Sequence, residues 1–224
     1  MDKSVRALRH GRIYGQFQKS NYSNVVGLCY NHLAEDIYDF EIRAKLIQAL
    51  CKIDQHKKAE KELQIFDHSY KGMVWKIVGL GVLGKVDEAN YLFKECIKLK
   101  PNDPQSYKNY AGCLYDSYRY DEAIPLFKKA IELEEFSSAI GLRNDLALCY
   151  RETGDFKEAI RLLEINIEED NRNYLSYTNK ALILVDIENY DEAERICLMV
   201  IDQDNDNDHA KYVLDKISLY RSNK

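Results

Sequence analysis

The sequence predicts an all-α protein built from a repeated helix hairpin, on three observations. A four-residue phrase recurs as Val86-Asp87-Glu88-Ala89, Tyr120-Asp121-Glu122-Ala123, Phe156-Lys157-Glu158-Ala159 and Tyr190-Asp191-Glu192-Ala193. Its alanines are 34, 36 and 34 residues apart (89 to 123, 123 to 159, 159 to 193). Apolar residues on both sides of each phrase keep helical spacing, and the 224 residues include only 3 prolines. A fixed period in this range marks units that bury an apolar face only by stacking on their neighbours.

Taken in order, the first two copies are degenerate. Ile13, Phe17, Tyr22, Val25 and Cys29 fit a weak hairpin over 6–39. Leu46, Ile47, Leu50, Ala59, Leu63 and Phe66 fit a second over 40–69, shortened because Ala59 and Ala89 are only 30 residues apart. Clear copies occupy 70–103, 104–139, 140–173 and 174–207. In the 104–139 copy Tyr107, Tyr110, Ala111 and Leu114 step as i, i+3, i+4 and i+7, one stripe of a first helix. Ala123, Phe127, Ala130 and Ile131 form the stripe of a second. Gly84 and Gly154 stand at the intervening turn, where the backbone needs positive φ. Tyr118 and Glu188 hold that place in the other clear copies, which predicts less regular turns there. A last segment, 208–221, carries Tyr212, Val213, Ile217 and Tyr220 on one side and Lys211, Asp215, Lys216 and Arg221 elsewhere, as a polar-faced capping helix would.

The pattern resembles the tetratricopeptide repeat family, whose motif is W-x2-L-G-x2-Y followed by Ala, Phe, Ala and Pro. Tyr107, Tyr110, Ala111, Leu114, Ala123, Phe127 and Ala130 match it, as do Gly84, Ala89, Phe93 and Pro101 in the preceding copy. Leu146, Ala147, Tyr150, Gly154, Ala159 and Leu163 continue it, and Tyr177, Ala181, Leu184, Ala193 and Cys197 repeat it with weaker residues. The resemblance covers 70–207. It implies one right-handed superhelical solenoid over 1–224, with about six hairpins and the capping helix.

Composition narrows the function classes. No stretch approaches the roughly 18 uninterrupted apolar residues of a membrane span, so no membrane contact is expected. Lys3, Arg6, Arg9 and Arg12 lie near the start without the apolar core of a secretory signal, which predicts a cytoplasmic protein with nuclear location left open. Cys29, Cys51, Cys96, Cys113, Cys149 and Cys197 include no CxxC pair and read as reduced thiols. A net charge of −5 argues against nucleic acid as a partner.

Three motifs are read as decoys. Gly79-Leu80-Gly81-Val82-Leu83-Gly84 spells GxGxxG, but the following segment Tyr107 to Tyr115 has helical and not strand periodicity, so no nucleotide cofactor is expected. Asp204, Asp206, Asp208 and Asp215 keep the spacing of a calcium loop, yet His209 stands where that loop needs glycine. His10, His32, His56, His68 and His209 share no ligand spacing and no nucleophile motif. Neither metal, cofactor nor catalysis is predicted.

The expected function is recognition. By family geometry the first helices line a concave groove, and helix phase places Val74, Trp75 and Val78 there, with Lys108, Asn109 and Tyr115, then Asn144 and Arg151, then Asn179. Asn109 and Asn179 share one repeat position, where an amide satisfies both donor and acceptor of a bound peptide backbone. Lys108 and Arg151 suit carboxylates. A register shifted by two residues would put Trp75, Val78, Gly79 and Val82 on the family motif and make Trp75 a packing residue. The carboxylate clamp of chaperone-binding relatives is broken, with Gly112, Asp145, Leu175 and Asn179 at its other places. The expectation is therefore a non-catalytic module binding a peptide or helix of a partner protein. The alternative is a scaffold subunit that self-associates as a homodimer through its amino-terminal repeats, where Tyr14, Phe17, Tyr30, Tyr38 and Phe40 lie. In arrangement only, that alternative resembles the scaffold subunits of the anaphase-promoting complex.

Overall fold

A computed structural model describes residues 3–134 and 139–222. Among the described residues there are 13 helices and no strand. They are α1 (Lys3–Gln18), α2 (Tyr22–Leu33), α3 (Phe40–Lys52), α4 (His56–Leu63), α5 (Tyr70–Val82), α6 (Val86–Leu99), α7 (Pro104–Asp116), α8 (Tyr120–Leu133), α9 (Ile140–Thr153), α10 (Phe156–Glu169), α11 (Tyr174–Asp186), α12 (Tyr190–Gln203) and α13 (Asp208–Ser222).

Four of the first helices, α3, α5, α7 and α11, start at side-chain caps. Asp39, Ser69, Asp103 and Asn173 accept from the backbone N–H of Ile42, Gly72, Ser106 and Ser176, satisfying a donor that has no partner within the helix. The turn that follows is uniform. Ser20, Asp54, Gly84, Tyr118, Gly154 and Glu188 all have positive φ, between 54° and 85°, at intervals of 34, 30, 34, 36 and 34 residues. Each closes a Schellman motif. The left-handed residue donates to the carbonyl three back, as Gly84 N–H does to Gly81 O at 2.9 Å, and the next donates five back, as Lys85 N–H does to Leu80 O at 2.9 Å.

Tyr118 and Glu188 make the same two bonds, so their turns are as regular as the glycine turns, contrary to expectation. Two carbonyls satisfied per turn outweigh the roughly 1–2 kcal/mol that a side chain costs in left-handed backbone.

By its contacts the chain divides into two compact units, Met1–Arg119 and Tyr120–Lys224. In the first, α1 packs on α2, α2 on α3, α3 on α4 and α5, and α5 on α6 and α7. In the second, the order runs from α8 to α9, α10, α11 and α12, and α13 closes against α11 and α12. Ala59, Ala89, Ala123, Ala159 and Ala193 are 0% exposed, with Val25 at the same place in the first hairpin. A larger side chain there would wedge the second helix away from its neighbour. The second hairpin is short because α4 has 8 residues where α6, α10 and α12 have 14.

The GxGxxG segment has a packing explanation. A Cβ on Gly81 would lie 2.9 Å from Cys113 Cα on α7, and one on Gly79 would lie 2.9 Å from Leu63 and 3.0 Å from Ile47. The first two glycines let α5 approach its neighbours, and the third turns the chain. At the motif's tryptophan place two copies carry arginine. Arg43 pairs with Glu62 across α3 and α4, and Arg143 reaches Asn166 and Glu169 across α9 and α10.

Candidate functional site

The left-handed residue gives each repeat a fixed origin. Lys45, Trp75, Asn109 and Asn179 all stand nine residues before it, and Val74, Lys108, Asn144 and Thr178 stand ten before it. Met73, not Trp75, occupies the place of Tyr107 and Tyr177. Trp75 thus has the register of the asparagines, and it is half-buried while Val74 beside it is core.

In the first unit, the asparagine side chain ties two repeats together. Asn109 Nδ2 donates to Val74 O at 2.7 Å, and its Oδ1 accepts from Gln105 at 2.5 Å. Val78 and Tyr115 are half-buried, and Lys108 is exposed with no ion pair among the described residues. Lys45 adds a group that helix phase alone did not single out. Its ammonium lies 4.2 Å from the Phe17 ring centroid and 5.0 Å from that of Tyr14. Burial pushes its pKa down, and the charge of Lys108 adds to that, against the opposing pull of Cys29 and Glu41.

In the second unit, Asn144 and Asn179 meet directly. Asn179 Nδ2 donates to Asn144 Oδ1 at 3.0 Å, and Asn144 Nδ2 donates to Ile140 O and to Ser176 Oγ, both at 3.1 Å. Asn166 from α10 joins the same network through Ser176 and Ile140 O. The two side chains are 3% and 7% exposed, so these amides hold α9 against α11. Arg151 is engaged as well, paired with Asp186 on α11 and with Glu152.

Sequence reasoning missed one further constellation. His10, His32 and Asp39 form a trio whose ligand atoms lie close enough to hold an ion, the only such group of His, Cys, Asp or Glu among the described residues. Separations of 29 and 7 residues from Asp39 carry no recognisable spacing, and only the docking of α1 and α2 on the start of α3 assembles it.

Stacked hairpins with one Schellman turn and one buried alanine per period define a helical-repeat scaffold, in which neighbouring first helices present a common face. Tetratricopeptide repeat family profiles match residues 80–139 and 114–176, and the chain is a tetratricopeptide repeat protein. Its likeness to solved structures is in fold. A tetratricopeptide repeat protein from Parabacteroides merdae superposes with a TM-score of 0.63 at 14% identity, over 96% of this chain and 86% of that one. YrrB, described as a TPR protein with an unusual peptide-binding site, gives 0.57 at 16% identity, over 84% and 97%. A chain of the APC/C hetero-tetramer Cut9-Hcn1 gives 0.58 at 14% identity over 88% of this chain, which spans only 40% of that larger one. No curated protein matches the chain. Tetratricopeptide repeat proteins are in general non-catalytic interaction modules or scaffolds. Among the described residues no helix is long and apolar enough to cross a membrane.

Proposed function

We propose that the protein is a non-catalytic module that holds a peptide or helix of a partner protein against the faces of its first helices. The observation that carries this reading is the first-unit face: Trp75 and Val78 half-buried, Lys108 exposed without an ion pair, and Lys45 set over two rings. An aromatic anchor beside unpaired cations is what an amphipathic ligand with an acidic flank needs. Asn109, Asn144 and Asn179 serve this function by fixing the spacing of the first helices, since their amides are spent between repeats. Tyr115 belongs to the proposed face of the first unit, and Arg151 to that of the second.

A second reading, a scaffold subunit that self-associates through the amino-terminal repeats, is favoured by Leu8, Tyr38 and Ile37, which are 76%, 66% and 52% exposed in the first two hairpins. One experiment separates the two. A photo-crosslinking residue is placed singly at Trp75, Lys108, Leu8, Tyr38 and, as a second-helix control, Tyr91. Adducts with one partner protein from positions 75 and 108, absent from 91, support peptide recognition. Adducts confined to 8 and 38, with a second copy of the chain, replace it with the scaffold reading.

A further inference from the structure

Asp39 is the centre of an unusual concentration of nitrogen. His10 Nε2 lies 2.7 Å and His32 Nε2 lies 2.8 Å from its Oδ2. Arg6 brings Nη2 to 2.8 Å and Nε to 3.1 Å of the same oxygen. An oxygen with two lone pairs cannot serve four such donors well. The Asp39 and His32 side chains are 0% and 1% exposed, whereas His10 is 18% and Arg6 36% exposed, so the cluster opens to solvent on the α1 side. Its other carboxylate oxygen is occupied in capping α3, accepting from Ile42 N–H at 3.3 Å.

We propose that His10 Nε2, His32 Nε2 and Asp39 Oδ2 form a site for a divalent transition-metal ion of the zinc class. The three ligand atoms lie within 4.8 Å of one another. Tetrahedral coordination at about 2.0–2.1 Å sets ligands roughly 3.3 Å apart, so each ring retreats by only about 0.5 Å from its present hydrogen bond. A water molecule supplies the fourth ligand. Two imidazoles favour zinc, cobalt or nickel over calcium and magnesium, which take oxygen ligands.

Coordination at Nε2 moves the proton of each neutral ring to Nδ1, and no proton is lost. In His32 the shifted proton finds no acceptor, because Nδ1 is buried and without a hydrogen-bond partner. The same orphan sets the affinity. A ligating histidine without an acceptor for its second N–H binds metal about 10–100-fold more weakly than one with such a partner. Arg6 is the built-in competitor: its guanidinium holds the carboxylate in the metal-free protein and leaves through solvent when the ion enters. Bound metal would then clamp α1, α2 and the start of α3 together, and so order the amino-terminal surface.

The test is calorimetric titration of chelator-stripped, full-length protein with Zn2+, alongside the visible spectrum of the Co2+ form. One ion per chain is expected, with nitrogen and oxygen ligation in the spectrum. His10→Ala, chosen because His10 is partly exposed and checked for unchanged helicity, should weaken binding at least tenfold. Arg6→Ala should tighten it up to about fivefold, the worth of a partly exposed ion pair. No zinc binding up to about 100 μM, unchanged affinity in His10→Ala, or a thiolate charge-transfer band would each overturn the proposal.

Discussion

Asn144→Ala tests the structural role of the asparagines. In the native network Asn144 Oδ1 accepts from Asn179 Nδ2 at 3.0 Å, while its Nδ2 donates to Ile140 O and Ser176 Oγ. The consequences of deletion are unequal. Ile140 O keeps the Nδ2 of Asn166 at 3.0 Å, and Ser176 Oγ keeps Asn166 at 3.2 Å and Asn173 Oδ1 at 2.9 Å. Asn179 Nδ2 loses its acceptor at a position only 7% exposed. One orphaned buried donor costs about 1–3 kcal/mol, and the net loss of the remaining bonds adds roughly 1, for a total of about 2–4 kcal/mol. In a chain of this length that lowers the melting temperature by about 4–16 °C. Circular dichroism melts of Asn144→Ala, Asn179→Ala and the double variant supply the measurement. The double variant should be less destabilised than the sum of the singles by about 1–2 kcal/mol, because it removes the orphan. A single variant within about 0.5 kcal/mol of wild type, or strict additivity, would refute the network as drawn. Loss of a partner in such a variant would then report on the fold and not on the ligand.

Two further outcomes follow from close packing. Gly81→Ala places a Cβ 2.9 Å from the Cα and Cβ of Cys113, and backbone cannot yield as a side-chain tip does. The expected loss is about 1–3 kcal/mol in urea unfolding, and an unchanged midpoint would show that α5 and α7 are looser than drawn. Burial pushes the thiols of Cys96, Cys113 and Cys197 up to about 11 and those of Cys29 and Cys149 to about 12. A raised pKa keeps the unreactive thiol form below it, so at pH 8 only about one thiolate in a thousand or fewer is present at these sites. Cys51, half-buried, should be alkylated first at pH 8, with the other five labelled only on unfolding. Mass spectrometry of the modified peptides checks the order, and early labelling of Cys149 would contradict it.

The repeat was legible because its signal is local and periodic: the buried alanine, the aromatic and aliphatic stripe, and the turn recur at fixed offsets. The turn also shows the limit of composition. Tyr118 and Glu188 look like defects beside Gly84 and Gly154, yet the two Schellman hydrogen bonds impose one backbone geometry on all four. Residue preference is a weak force against a closed hydrogen-bond pattern. For the candidate site, helix phase gave each residue's place on its helix but not what the side chain does there. An amide at the phase of Asn109 or Asn144 suits a ligand and a neighbouring repeat equally well, and the choice depends on whether a carbonyl such as Val74 O lies within reach across the stack. The trio of His10, His32 and Asp39 was invisible for a related reason, since the middle of α1, the end of α2 and the cap of α3 create it and no single helix carries two of its members.

Trp75 brings these strands of argument together. Its position nine residues before Gly84 makes it the counterpart of Asn109 and Asn179. Those amides donate back to the preceding repeat, Asn109 to Val74 O and Asn179 to Asn144 Oδ1, whereas an indole offers a single N–H and no acceptor. The α5 repeat meets α7 through the Val74 carbonyl, which Asn109 reaches, and meets α3 where Gly79 lies against Ile47. The indole is left half-buried on α5, as is Val78 one turn on. An array in which every repeat used its asparagine would be rigid and uniformly polar on that face. Exchanging one for tryptophan, where Gly79 already brings α5 against α3, keeps the stack and gives the proposed face its anchor.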